Sequence, residues 1–497
     1  MLRVGVNMDN KPTELPLVLL LFGGTGDLAK RKLYPSLFNL FKKGYLQKHF
    51  AVIGTARHPL DDEKFQEVVR QSIAKNGTEG QVKEFAAHFR YSSHDVTDLK
   101  DYGKLKNMLA KLDKEFDAGG NRIFYMSVAP RFFGQIAQAI KSEGLMSDTG
   151  YNRLMVEKPF GTSYKTAEEL QNQLESGFSD DQIFRIDHYL GKEMVQNIPA
   201  VRFGNPILDA TWNKNYIKNV QVTLAEQLGV EERAGYYNTA GALLDMIQNH
   251  AFQIVGWLAM EKPSSFSDTD IRAAKNTVFS KLKMYDEREV VANFVRGQYG
   301  RGREVWQKSY TEEPDVPADS KNDTYVAGRL QFENDRWTGV PFYIRTGKRL
   351  AAKQTRVDIV YKKSSFDFGK FNQDKLSEPV LSILIDPVGG INFSLNGKNV
   401  TTEFETRSDL LKWSISDQDK VETPDPYERM LHDAMNGDGS NFADWNGVSI
   451  SWKFVDQIAK VWAEDKAPLE IYESATMGPV ASDRLLAETG DRWIYRG

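Results

Sequence analysis

Two patterns of hydrophobic and polar positions divide the chain. In the first, short apolar runs alternate with amphipathic stretches. Strands are expected over 17–22, from 50 to the exit at Arg57, over a run leading to His94, and over 121–128, 153–157 and 182–187. Helices are expected from the end of the first run through about Lys43, and over 61–76, 80–89, 98–116, 130–143 and 162–174. This alternation predicts a doubly wound parallel sheet. Ligands bind such sheets beyond the carboxyl ends of the strands. Thr25, Arg57, Asp95, Ser127, Lys158 and Asp187 all fall at those ends.

After about residue 200 the period changes. Polar and apolar positions interleave over 217–226, 290–295, 324–332, 341–345, 355–361, 380–385, 391–395 and 411–414, with Gly, Asn and Asp at several turns between them. Few helical stretches intervene, so a large, mainly antiparallel sheet is expected, one face covered by helices. The polar stretch 305–322, with Pro314 and Pro317, is expected to be a loop. One long helix is expected over 239–260, where Leu243, Leu244, Ile247, Ala251, Ile254, Trp257 and Leu258 form an apolar stripe. His250 lies within that stripe. Asp245, five residues earlier, falls about 140° round an α-helical wheel. It would not stack on His250, though both can border one pocket.

Composition narrows the chemistry. The 497 residues carry a formal charge of −4, which implies no general affinity for nucleic acid or membrane surfaces. There is no cysteine, which excludes disulfides, thiolate metal sites and Cys nucleophiles. A reducing, cytoplasmic setting is expected. The N-terminal apolar run is too short to span a membrane, and residues 1–14 are expected to be frayed.

The turn after the first strand reads Gly23-Gly24-Thr25-Gly26-Asp27-Leu28-Ala29. Gly24, Gly26 and Ala29 fit the G-x-G-x-x-A variant of the dinucleotide fingerprint, in the required strand-to-helix context. The glycines admit a pyrophosphate, and the helix N-terminus faces it. Arg57 closes the second strand, where an NAD-selective site usually has an acid. Its guanidinium suits a 2′-phosphate, so NADP is expected, with NAD also admitted.

The stretch 182–197 contains Asp187-His188-Tyr189 and, four residues after the His, Lys192. A helix starting there would stack His188 and Lys192 on one face and offer an anion site. Asp187 cannot serve that anion, and orienting a catalytic His is its candidate role. The blander reading is a helix cap with solvated neighbours. His250 on an apolar stripe is more often a core histidine than a base. Paired with Asp187 it would be a general base held in one tautomer. The other histidines show no metal-ligand spacing, and no metal is expected.

Taken together, 23–33, Glu157-Lys158-Pro159-Phe160-Gly161, Arg185–Glu193, Gln248-Asn249-His250 and Arg345-Thr346-Gly347-Lys348-Arg349-Leu350 resemble the glucose-6-phosphate dehydrogenase family, bacterial type. The resemblance implies an N-terminal Rossmann domain, placed at 1–187, and a substrate-binding and dimerisation α+β domain at 188–497. It implies oxidation of glucose 6-phosphate to 6-phosphogluconolactone by hydride transfer, in a homodimer. His250 matches the base and Asp187 its carboxylate partner. His188, Tyr189, Lys192 and Lys353 match the phosphate group's contacts, and Glu226, Asp245 and Lys348 match the sugar's. Lys158 lies between cofactor and substrate, with Pro159 expected in the cis form. Cofactor contacts are expected from Gly23, Gly24, Thr25, Gly26, Asp27, Leu28, Arg57, Asp95, Lys158 and Pro159. Two alternatives stand beside this reading. One is a Rossmann-type oxidoreductase of an unphosphorylated sugar, which needs no phosphate clamp. The other is a non-catalytic NADP-binding sensor, which has no need of Asp187 and His250 together.

Overall fold

The computed structural model describes residues 12–304, 307–366, 376–402 and 404–497. Most of the N-terminal stretch expected to fray, and residues 305 and 306 of the expected loop, lie outside these.

The first sheet has six strands: β1 (Leu17–Phe22), β2 (Phe50–Ala56), β3 (Phe89–Ser93), β4 (Arg122–Met126), β5 (Asn152–Val156) and β6 (Ile183–Arg185). They lie in the order β3-β2-β1-β4-β5-β6, and every pairing is parallel. This is the doubly wound order whose crevice opens where the chain reverses direction, beyond the end of β1. All six residues of β1 are buried, as a central strand covered on both faces requires. Burial of a Leu or Phe side chain contributes roughly 1.5–3 kcal/mol. Caps set the helix starts: Asp61 accepts from the Lys64 amide at 2.7 Å, and Asp98 from that of Lys100 at 3.0 Å.

The second sheet has nine strands: β7 (Ile217–Ala225), β8 (Phe294–Tyr299), β9 (Tyr325–Leu330), β10 (Phe342–Gly347), β11 (Gln354–Tyr361), β12 (Val380–Asp386), β13 (Gly390–Lys398), β14 (Thr406–Ser414) and β15 (Leu469–Tyr472). Their order is β14-β13-β12-β11-β7-β10-β9-β8-β15. Pairings are antiparallel except β7 with β10 and β8 with β15. A contiguous hydrophobic core joins this sheet to the helices that carry Ile247, Ile254 and Trp257.

Four local expectations are corrected. The helix expected over 80–89 runs Glu79–Ala86, because Phe89 pairs with Val52 as the first residue of β3. The run 290–295 is not a strand throughout. Asp286 and Glu289 form a capping box that opens a helix over Glu287–Asn293, and β8 follows. The helix expected to begin beside His188 starts only at Glu193, after a tight turn. The helix expected over 239–260 is three segments: Ala234–Ala242, a π-helix at Leu243–Ala251, and Phe252–Ala259. Gly241, at φ 63° and ψ 179°, breaks the first from the second. The short strand β15 has no counterpart among the sequence expectations.

Candidate active site

Each strand of the first sheet delivers its candidate residue just past its carboxyl end. At the end of β1, Gly23 has φ +89°, and a Cβ there would lie 2.0 Å from the Ser127 carbonyl oxygen. A Cβ on Gly24 would come within 2.9 Å of the Gly54 Cα. Side chains are therefore excluded where the loop passes over β2 and β4. The helix opens at Asp27, so the first amides, with Thr25 and Leu28 beside them, have no intrahelical partner. This is a cradle that fits a pyrophosphate. Arg57 is exposed after β2. Asp95, exposed after β3, accepts from the Thr97 amide at 2.9 Å and hydroxyl at 2.7 Å. Those bonds, burial acting the other way, and then the Arg57 charge hold its carboxyl below the usual range. Arg57 thus does have an acid nearby, although none adjoins it in sequence.

The second sheet gathers its own group at one edge. β7 and β10 run parallel, with Ala225 opposite Gly347. Their next residues, Glu226 and Lys348, therefore emerge side by side, and Lys348 Nζ lies 2.7 Å from Glu226 Oε2. β11 is antiparallel to β7 and begins opposite Ala225, which places Lys353 at the same edge. β12 ends there with Asp386. Lys353 Nζ lies 3.0 Å from Asp386 Oδ2, and Lys192 Nζ 3.3 Å from the same oxygen. Asp386 was not singled out from sequence. Its only local signal is the following proline, and the Asp386-Pro387 peptide is cis, as is Lys158-Pro159.

His188 and Lys192 do not share a helix face as expected. Leu190 N bonds to Asp187 O at 2.9 Å and Lys192 N to Tyr189 O at 3.1 Å, which closes a turn. Lys192 is the N-cap of the helix Glu193–Phe203. It still reaches its neighbours, with Nζ 4.5 Å from the Tyr189 ring centroid. The charge of the cluster also differs from expectation. Burial, then His250 and Lys158, hold the His188 imidazole well below its ordinary value, so it is neutral at pH 7. The two lysines carry the positive charge.

Between the two edges lies His250, 1% exposed. Its Nδ1 is 2.6 Å from Asp187 Oδ1, which also accepts from the Tyr189 amide at 2.9 Å. Its Nε2 is 2.8 Å from Lys158 Nζ, and that ammonium also lies 3.3 Å from Asp245 Oδ1. The π-helix explains the last contact. Its i→i+5 bonds bring positions five apart nearly above one another, so Asp245 and His250 meet at one lysine. Burial holds His250 below its ordinary value against the pull of Asp187. For Asp187, burial is outweighed by His250, His188 and Lys158, and the carboxyl is held at about 2. At neutral pH the pair is an anionic carboxylate and a neutral imidazole. Nδ1 donates to Asp187, and the Nε2 lone pair faces Lys158. Asp187, His188 and His250 bring three ligand-capable atoms within 4.8 Å of one another. The Lys158 ammonium already supplies the positive charge that a metal would bring.

The arrangement can take a proton at Nε2, hold an anion between lysines and seat a dinucleotide across the crevice. The sequence matches the family models for the glucose-6-phosphate dehydrogenase NAD binding domain over residues 20–197 and C-terminal domain over 199–494. The chain belongs to the glucose-6-phosphate dehydrogenase family. A glucose-6-phosphate 1-dehydrogenase of Leuconostoc mesenteroides is 66% identical over 486 residues, covering 98% of this chain and 100% of the relative. One of Streptococcus pneumoniae is 47% identical, covering 97% of each chain. Among solved structures, a glucose-6-phosphate dehydrogenase in complex with its substrate glucose 6-phosphate superposes with a TM-score of 0.90 at 32% identity, over 98% of this chain and 100% of that one. The family is one of oxidoreductases that use a nicotinamide cofactor. Among the described residues, no helix is long and apolar enough to cross a membrane.

Proposed function

We propose that the chain oxidises glucose 6-phosphate at C1 to 6-phosphoglucono-1,5-lactone, the entry step of the pentose phosphate pathway, with NADP as the preferred hydride acceptor and NAD as a second. The observation that carries this reading is the line Asp187 Oδ1, His250 Nδ1, His250 Nε2, Lys158 Nζ, set between the cofactor crevice and the lysine-lined edge of the second sheet.

His250 Nε2 accepts the proton of the C1 hydroxyl. Asp187 stabilises the imidazolium that forms and keeps Nδ1 protonated. The sugar hydroxyl takes the place of the Lys158 ammonium at Nε2, and Lys158 then stands between sugar and nicotinamide. Lys192 and Lys353 bind the phosphate, with His188 and Tyr189 as hydrogen-bonding neighbours. Asp386 holds the two lysines together before the phosphate arrives. Glu226, Lys348 and Asp245 orient the sugar hydroxyls. Gly23, Gly24, Thr25, Gly26, Asp27 and Leu28 cradle the pyrophosphate, Pro159 borders the crevice, and Arg57 with Asp95 receives the adenosine end. When bound, the nicotinamide ring supplies the hydride acceptor. A division at 187/188 gives Asp187 to the nucleotide side and His188 to the sugar side.

A homodimer is supported by the outer edge of the second sheet. Among the described residues strand β14 has no partner beyond it, and Leu410, Leu411 and Trp413 are exposed there. A second copy of the chain covers this edge. A chain without cysteine suits the reducing cytoplasm.

The test is the initial rate of absorbance rise at the nicotinamide band with glucose 6-phosphate and NADP⁺, then NAD⁺, with glucose as control. A rate that depends on the phosphate is expected. An equal rate with glucose would leave the lysine-lined edge without its role.

A further inference from the structure

Asp187 has two carboxylate oxygens, and only one is accounted for by the base. Oδ1 serves His250 Nδ1 and the Tyr189 amide. Oδ2 is fully buried, and no group among the described residues donates to it. A buried carboxylate oxygen without a donor is costly, and an ionised one especially so.

Asp187 borders a narrow cavity of about 10 Å³, the order of space that one water occupies. Gln248, Gln253 and Lys158 border it, and Phe160, Ile186 and Val448 supply apolar wall. The Lys158 ammonium is already engaged by His250 Nε2 and by the carbonyl and carboxylate oxygens of Asp245. The Gln248 amide nitrogen is engaged with Ser451 Oγ at 3.1 Å, which leaves its carbonyl oxygen as an acceptor. Gln253 is 6% exposed, one helical turn beyond His250. No hydrogen bond among the described residues engages its amide. One cavity is thus bordered by an acceptor with no donor and an amide with no partner.

We infer that a single buried water joins Asp187 Oδ2 to Gln253 and Gln248, and that Gln253 is a positioning residue for the His250–Asp187 pair. The water donates one proton to Asp187 Oδ2 and the other to the Gln248 carbonyl oxygen. It accepts from the Gln253 amide. Its three hydrogen bonds are the usual number for a buried water. The carboxylate is then held at both oxygens, which fixes its plane and favours its ionised form. The groups whose charges bear on Asp187 are His250, His188 and Lys158, and Asp187 in turn bears on Tyr189, Lys192, Lys275 and Tyr427. None of these reaches Oδ2 with a hydrogen bond.

This inference rests on the base reading above, so the experiment separates the two. Gln253→Met keeps side-chain length and helix propensity and removes the amide. It is measured beside His250→Asn in full pH profiles with glucose 6-phosphate and NADP⁺. The expected result for Gln253→Met is a kcat lower by roughly 5–100-fold, the factor for a buried charged acceptor left unmet. Both KM values stay unchanged, and the acid limb of kcat/KM moves to higher pH. A purely structural role would not move that limb. A wild-type kcat and acid limb overturn the inference while an inactive His250→Asn leaves the base reading standing. Near-normal turnover in His250→Asn overturns both. A high-resolution crystal structure of the unmodified enzyme decides independently of how the variant folds. An ordered water bonded to Asp187 Oδ2 and Gln253 is expected, and Oδ2 bonded directly to protein overturns it.

Discussion

Lys158 Nζ and His250 Nε2 stand 2.8 Å apart, so the lone pair that would take the substrate proton is held by a cation from the other side of the crevice. This contact and the Asp187 bond both favour the tautomer protonated at Nδ1. Replacing His250 by Asn keeps a polar group at the site but removes the base. Turnover is expected to fall by roughly 10²–10⁴-fold while the sugar phosphate still binds. Stopped-flow or steady-state kinetics with binding calorimetry checks this, and near-normal turnover would remove His250 from the chemistry.

The pairing of Lys192 and Lys353 with Asp386 makes the anion site legible by charge. Lys192→Gln is expected to raise the KM for glucose 6-phosphate well above its effect on the NADP KM. Asp386→Asn frees both lysines from their shared carboxylate and is also expected to act on the sugar KM alone. Equal effects on both substrates would place these residues outside the phosphate site.

Arg57 is exposed beyond β2, with the Asp95 charge nearby. Arg57→Ala is expected to weaken NADP binding far more than NAD binding, as read by fluorescence titration with each nucleotide. Equal losses would mean that the guanidinium stacks on adenine and does not bind the 2′-phosphate.

Acid acts on His250, His188 and Asp187 in one direction. His250 and His188 are held below the ordinary imidazole value of 6.5 by burial. The unfolded chain therefore binds more protons than the folded one as pH falls below about 6.5, and their contribution to stability is present above that pH and lost below it. Asp187, at about 2 against 3.8, adds a second loss between those two values as pH falls further. Burial pushes the Glu157 carboxyl up to about 7, so the folded chain takes up that proton between about 7 and 4.5 and gains stability there, against the imidazoles. The histidine contribution is therefore read as the difference in melting temperature between wild type and His250→Asn from pH 7 to about 5. The wild type is expected to lose more on acidification, and an identical pH dependence in the two would contradict the buried neutral His250. The activity limb is expected below 6.5 because His250 stays neutral there.

The open edge at β14 carries the assembly prediction. Trp413→Asp places a charge among the exposed apolar side chains Leu410, Leu411 and Trp413 of this strand, where a monomer tolerates it and a dimer interface does not. Sedimentation is expected to show a shift from dimer towards monomer. An unchanged dimer would place the interface elsewhere.

What the chain alone determined follows from local rules. Apolar runs alternating with amphipathic stretches specify β1 to β6 and their parallel order of connection, because periodicity and the right-handed crossover leave few options. The glycine turn and its glycines follow from the close approach of β2 and β4, and Asp187, His188 and Lys192 stand out by type and spacing. The tertiary structure decided the rest. Asp187 and His250 are 63 positions apart, and no local pattern brings them together. Glu226, Lys348, Lys353 and Asp386 share an edge only because β7, β10, β11 and β12 are neighbours in a particular register. The α-helical wheel separated Asp245 from His250 because it assumes a period that the π-helix does not keep. Hydrogen-bond register and backbone period are settled by packing against distant segments, and those are the terms a single sequence does not display.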